Sequence, residues 1–139
     1  MKIQIINGPN LNLLGRREPE IYGTDSFEDF FESLRRQHPD VELSYFQSNI
    51  EGEIVTEIQK AGFTCDGIVI NAGGYSHTSV SIRDALKAVP APAVEVHVSN
   101  VFAREDFRQK LLVAPVCRGC ISGFGLQSYE MAVEYLKRL

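Results

Sequence analysis

In AVEVHV (93–98) a glutamate and a histidine, Glu95 and His97, stand two residues apart, and on an extended strand that spacing turns both side chains to the same side. A carboxylate beside an imidazole fixes its tautomer and raises its basicity, as a catalytic acid or base requires; the same pattern also serves as a plain same-face salt bridge. The chain has three histidines. His77 follows the apolar run GIVIN in AGGYSHTS, while His38 falls in an ordinary helix-to-strand turn. A lone histidine is more often structural than catalytic, so what matters is whether His77 and His97 share one crevice.

The segment NGPNLNLLGRREPEIYG (7–23) is far longer than the usual βα connection of about 2 to 6 residues. It carries Asn7, Asn10, Asn12, Arg16, Arg17, Glu18 and Tyr22. Arg17 reads either as a solvated charge or as the partner of Tyr22, itself either a packing residue or a base. A free tyrosine has a pKa of about 10, so half-ionisation near neutrality needs about 4 kcal/mol. One cation at about 4 Å with an effective dielectric of about 20 supplies roughly that much. The segment reads as an active-site lid with Asn12 at its fixed end, Arg17 and Tyr22 meeting as it closes over substrate.

Metal and phosphate chemistry fit less well. There is no HExxH, and GPNLNLLG has neither the Walker lysine nor the GxGxxG order; Pro9 also removes an amide that a phosphate cradle would use. The three cysteines, Cys65, Cys117 and Cys120, are an odd number. CRGC has redox or half-zinc spacing, but it precedes a strand and no second pair completes four ligands, so the thiols read as reduced and structural.

Residues with chemistry need elements to hold them. KIQIIN (2–7) is a short β-branched strand stopped by Gly-Pro. Phe27, Phe30, Phe31 and Leu34 share a helical face, with Asp25 or Ser26 as N-cap and a stop near His38-Pro39. VELSYF (41–46) alternates as a strand, and Ser48 with Glu51 reads as a capping box before a helix that Gly62 ends. GIVIN (67–71) is a strand covered on both faces; a helix through Ile82 to Val89 stops at Pro90 and Pro92, and Ala93 to Val98 is the fourth strand. A short helix near AREDFRQKL, a strand at CISGF and a final helix from Leu126 to Leu139 complete the order.

Strands alternating with helices predict an α/β fold: a flavodoxin-like three-layer sandwich around a five-stranded parallel sheet of order 2-1-3-4-5. Ligands in such sheets bind outside the carboxyl ends of the strands near the switch point, so the loops after strands one, three and four should line one crevice. That crevice would gather Asn71, Gly73, Gly74, Tyr75, Ser76 and His77 with Glu95, His97, Ser99 and Asn100.

At 139 residues the chain reads as one domain, 1–139, able to bury about two thirds of its unfolded surface. A composition 44% hydrophobic and 23% charged is that of an ordinary globular protein. The formal charge of -4 argues against nucleic-acid binding, so an anionic ligand would have to be held by a few placed arginines. No segment approaches the roughly 20 apolar residues of a membrane span, and MKIQIINGPN lacks a signal-peptide core, so no membrane partner and a cytoplasmic location are expected.

Taken together, GPNLNLLGRREPEIYG (8–23), QSNIEGEI (47–54), INAGGYSHTS (70–79), VEVHVSN (94–100), AREDFR (103–108) and ISGFGLQSYEMA (121–132) resemble the type II 3-dehydroquinate dehydratases, in family order across nearly the whole chain. The resemblance implies a flavodoxin-like subunit in a homododecamer built from trimers, acting in the shikimate pathway of aromatic amino acid biosynthesis without metal or cofactor. The implied substrate is 3-dehydroquinate, converted to 3-dehydroshikimate by anti elimination through an enolate. Tyr22 is implied as the base, with its pKa lowered by Arg17, and Asn12 as a stabiliser of the enolate through an ordered water. His97, oriented by Glu95, would protonate the leaving hydroxyl, with Asn71 nearby. Amides around Val98 and Ser99, with the Ser99 hydroxyl, would hold the substrate carboxylate; His77 and Arg108 would bind ring hydroxyls, and Asp84 would reach in from a neighbouring subunit. The chain departs from the family in Gly74-Tyr75-Ser76, where Ala-Tyr-Thr is common, and in Phe102, where histidine is frequent. The other class weighed is a binding module on the same fold, such as a flavin or nucleotide carrier.

Overall fold

The computed structural model describes residues 1–16, 20 and 26–139. Strand β1 (Lys2–Asn7) leads to helix α1 (Phe27–Gln37), β2 (Glu42–Gln47), α2 (Glu51–Thr64), β3 (Gly67–Asn71), α3 (Val80–Ala88), β4 (Ala93–His97), β5 (Gly119–Ser122) and α4 (Gln127–Lys137). The sheet is parallel throughout and ordered β2-β1-β3-β4-β5, as the alternation of elements predicts.

All residues of β3 and β4 are buried, which is why these strands read as unbroken apolar runs in sequence. On one face Phe27, Phe31 and Leu34 of α1 meet Tyr129, Val133 and Leu136 of α4 over Ile3, Ile5 and Val96. On the other, Ile54 and Ile58 of α2 and Ile82 and Leu86 of α3 pack over Ile6, Ile68 and Ile70. Each such fully buried aliphatic side chain contributes about 1.5–3 kcal/mol. The carboxyl ends of β1 and β3 are tied in register, Asn7 opposite Asn71, and Gly8 N–H donates to the Asn71 carbonyl at 2.7 Å. Only glycine fits at position 8: a Cβ there would lie 2.5 Å from the Ala72 carbonyl oxygen.

Local chemistry sets the element ends. Ser26 is the N-cap of α1, its side chain accepting from Asp29 N–H, and buried His38 is the C-cap. Helix α2 starts at Glu51 rather than in a Ser48–Glu51 capping box. Glu51 is the first helical residue, too near the cap to reach back, so Ser48 Oγ instead accepts from Ile50 N–H (2.9 Å) and donates to Glu53, while Glu51 accepts from Ser79 Oγ (2.5 Å). Gly62 does not end the helix, which continues to Thr64; its role is close approach, because a Cβ there would meet Val89 Cβ at 2.3 Å. In place of a helix near AREDFRQKL (103–111), the chain makes two 3-10 turns, Val101–Ala103 just ahead of it and Asp106–Gln109 within it. Extended backbone at Arg104 separates the turns, and Phe107 stays 61% exposed instead of joining an apolar face that would hold a longer helix.

Among the described residues, no helix is long and apolar enough to cross a membrane. All three cysteines are free thiols.

Candidate active site

Glu95 and His97 occupy the carboxyl half of β4, and the extended backbone places them on one face, as their spacing predicts. His97 Nε2 lies 2.9 Å from Glu95 Oε2, with Glu95 0% and His97 5% exposed. A carboxylate only accepts, so Nε2 carries the proton and Nδ1 is the nitrogen left for proton exchange. Cys120 Sγ donates to the same Oε2 at 3.3 Å from the neighbouring strand.

His97 opens into a pocket lined also by Asn71, His77, Val98, Ser99, Arg104 and Arg108. The loops after β3 and β4 therefore share one crevice, with Pro9 and Asn10 from the loop after β1 on its wall. The His77 and His97 rings stack with centroids 6.1 Å apart. His77 Nδ1 donates to the Lys110 carbonyl at 3.0 Å, which leaves Nε2 as an acceptor when the ring is neutral. Burial chiefly holds the His77 pKa below its usual 6.5, helped by the positive charges of His97 and Arg108 and opposed by the bond to Lys110.

Serines and asparagines fix the loop after β4. Ser122 Oγ of β5 donates to the Ser99 carbonyl and accepts from Val101 N–H, both at 3.1 Å, and Asn100 Oδ1 accepts from Phe102 N–H at 3.1 Å. Arg104 Nη1 donates to Ser99 Oγ at 3.3 Å, and Arg108 Nε donates to Glu105 at 3.0 Å. The lining thus combines guanidinium groups and a hydroxyl, which suit an anionic or hydroxylated ligand, with a pair of imidazoles backed by a buried carboxylate, which suits proton transfer.

Beneath the pocket lies a buried polar relay. Asn71 Nδ2 donates to Tyr129 Oη (2.9 Å), which donates to Asn7 Oδ1 (2.8 Å), while Asn71 Oδ1 accepts from Gly73 N–H (3.1 Å). The Asn71 amide is thereby held with its oxygen toward Gly73, and one of its two N–H groups remains uncommitted by these bonds.

Of the expected site residues, Asn71, His77, His97, Val98, Ser99 and Arg108 line the pocket, and Glu95 stands behind His97. Asn12 lies off this lining, exposed on the 3-10 turn Leu11–Leu13, its side-chain oxygen 3.4 Å from Gln47 Nε2. Asp84 is exposed on α3, away from the pocket of its own chain. Arg17 and Tyr22, with the closure expected of their segment, lie outside the described residues. Of the departures, Gly74 lines the pocket, Ser76 is buried with no partner for its hydroxyl among the described residues, and Phe102 is exposed.

Sequence reasoning missed two contributors, Arg104 and the hydroxyl of Tyr129. Arg104, four residues before Arg108, was legible only as part of AREDFR. The Tyr129 hydroxyl was hidden because its ring has the periodicity of a core residue. Asn10 adopts a left-handed φ of 72°, which the turn-forming GPN context signals.

A five-stranded parallel sheet of order 2-1-3-4-5, with a carboxylate–imidazole pair and arginines at its carboxyl edge, defines a flavodoxin-like α/β enzyme. Within that class the chain belongs to the class II dehydroquinases: the family model described as "Dehydroquinase class II" matches residues 1–137. It is 56% identical to a 3-dehydroquinate dehydratase of Campylobacter jejuni, over 96% of this chain and 85% of that protein. It is 52% identical to the 3-dehydroquinate dehydratase of a Nitratiruptor species, over 100% of this chain and 90% of that one. The crystal structure of the type II dehydroquinase from Butyrivibrio crossotus superposes with a TM-score of 0.95 at 48% identity, covering 99% of this chain and 97% of that one.

Proposed function

We propose that this class II dehydroquinase removes water from 3-dehydroquinate to give 3-dehydroshikimate by anti elimination through an enolate. The observation that carries the reading is the buried Glu95–His97 pair opening beside His77, Arg104 and Arg108 at the carboxyl edge of the sheet. A proton next to a ketone needs a base and stabilisation of the enolate oxygen, and a hydroxyl leaving group needs an acid elsewhere.

His97 is that acid. Glu95 keeps one proton on Nε2 and offsets the charge of the imidazolium, which delivers the Nδ1 proton to the departing C1 hydroxyl so that it leaves as water. The second N–H of Asn71 faces the same group. The Val98 and Ser99 amides, with the Ser99 hydroxyl, take the substrate carboxylate, and Arg104 adds charge there. His77 and Arg108 bind the ring hydroxyls. Tyr22, made acidic by Arg17, takes the C2 proton, and Asn12 stabilises the enolate oxygen through a water. Asp84 serves the pocket of a neighbouring subunit, which goes with a dodecamer built from trimers. Residues 1–139 act as a single catalytic domain in the cytoplasm, with no metal or cofactor in the reaction.

The direct test adds 3-dehydroquinate to the purified protein and follows the ultraviolet absorbance of the conjugated enone, with and without EDTA. Enone formation unaffected by EDTA is expected. No signal overturns the activity, and loss of activity in EDTA overturns the metal-free mechanism. Sizing at several concentrations tests the dodecamer, and Tyr22→Phe tests the base.

A further inference from the structure

The CRGC segment has no part in the reaction proposed above, yet the fold brings it against the acid pair. Cys120 of β5 is the register partner of Glu95 on β4, and strand alternation puts Glu95, His97 and Cys120 on one face. His97 Nε2 and Cys120 Sγ converge on the same carboxylate oxygen at 2.9 and 3.3 Å. The other oxygen, Glu95 Oε1, is buried and has no hydrogen-bond partner among the described residues. One nitrogen, one sulfur and one oxygen from the three side chains lie within 4.8 Å of one another. Cys120 is exposed as a residue while Glu95 and His97 are buried, and its thiol reaches inward to the Glu95 carboxylate.

We propose that Glu95, His97 and Cys120 form a binding site for a borderline or soft divalent cation such as Zn²⁺ or Cd²⁺, and that occupancy switches the acid pair off. The donor set suits such ions, which take sulfur, imidazole nitrogen and carboxylate oxygen together and leave a fourth position to water. On binding, Cys120 ligates as thiolate and its proton goes to solvent. His97 ligates through Nε2 with its ring proton moved to Nδ1, and Glu95 turns a carboxylate oxygen from the imidazole to the ion. His97 then cannot form the imidazolium that protonates a leaving group. Binding is independent of the dehydratase reading; only the loss of turnover rests on it.

The test titrates the full chain with Cd²⁺ alone and follows thiolate-to-metal ultraviolet absorption together with dehydration of 3-dehydroquinate. One ion per chain is expected, with an absorption band and a loss of turnover that a chelator reverses. Cys120→Ser should remove the band and weaken binding by at least the ~10–100-fold that loss of a mere outer-shell partner costs, and Glu95→Gln should weaken it as well. Cys65→Ser should change neither. Should Cys120→Ser fail to fold, Cys120→Ala takes its place. A band that survives loss of the Cys120 thiol, or that Cys65→Ser removes, overturns the site. A band from Cys120 with full turnover, or with Glu95→Gln binding as the parent does, overturns the ligation of the acid pair. If the metal-free protein shows no turnover at all, the dehydratase reading falls and the band still decides this one.

Discussion

Tyr129, on the last helix, accepts a hydrogen bond from Asn71 at 2.9 Å and so couples the final element of the chain to the wall of the pocket. Tyr129→Phe keeps the ring against Phe27 (centroids 4.9 Å apart) but strips partners from Asn71 Nδ2 and Asn7 Oδ1. Leaving a buried polar group unpaired costs about 1–3 kcal/mol, which denaturant unfolding will read directly. With the folded fraction held constant, kcat/KM should also fall, because the Asn71 amide is no longer oriented. Parental stability and kinetics in this variant would mean that the relay does not position Asn71.

Glu95→Gln tests the charge behind His97. The amide still accepts from the imidazole, so geometry survives, but it no longer offsets an imidazolium. A loss of about 10²–10⁴-fold in kcat with little change in KM is expected, in line with removal of an acid from the transition state. A rise in KM alone would move Glu95 from proton transfer to binding.

Two glycines of α2 should respond with opposite signs. Gly62→Ala pushes a methyl into Val89, 2.3 Å away, and should destabilise by about 1–3 kcal/mol. Gly52→Ala meets nothing within 4 Å in the first turn of the same helix and should stabilise by about 0.5–1 kcal/mol. Urea midpoints of the two variants check both signs.

His77 sets an acid limb on stability. Its folded pKa lies below the usual 6.5, so between those two values the unfolded chain binds more protons and stability falls as pH falls. The contribution is complete above about 6.5 and lost on the way down to the folded value. The groups acting on the ring are the Lys110 carbonyl, His97, Arg108 and Glu95. His77→Gln should flatten the slope of unfolding free energy just below about pH 6.5; an unchanged slope would assign that limb to other groups.

The fold was legible because periodicity and punctuation agreed: β-branched runs ended at Gly-Pro and Asn, and amphipathic helices stood between them. The Glu95–His97 pair was legible for the same reason, since strand alternation leaves two residues two apart no choice of side. What stayed hidden depends on distances between segments far apart in sequence. Ser48 looked like a cap because spacing alone does not say where the first helical turn closes, and Gly62 looked like a terminator because Val89 is invisible from its neighbourhood. Tyr129 carries two kinds of information in one side chain: its ring follows the helix period, and its hydroxyl does not. CRGC looked like half a site because its other half lies on a different strand.

The approach of Gly8 to Ala72 makes the join between the loops after β1 and β3 a matter of main chain. Substitutions around the rim can alter charge, hydrogen bonding and selectivity while leaving that join where the backbone puts it. The molecule thus divides its labour: the chemistry is carried by side chains, and the footing beneath them rests on a residue that has none.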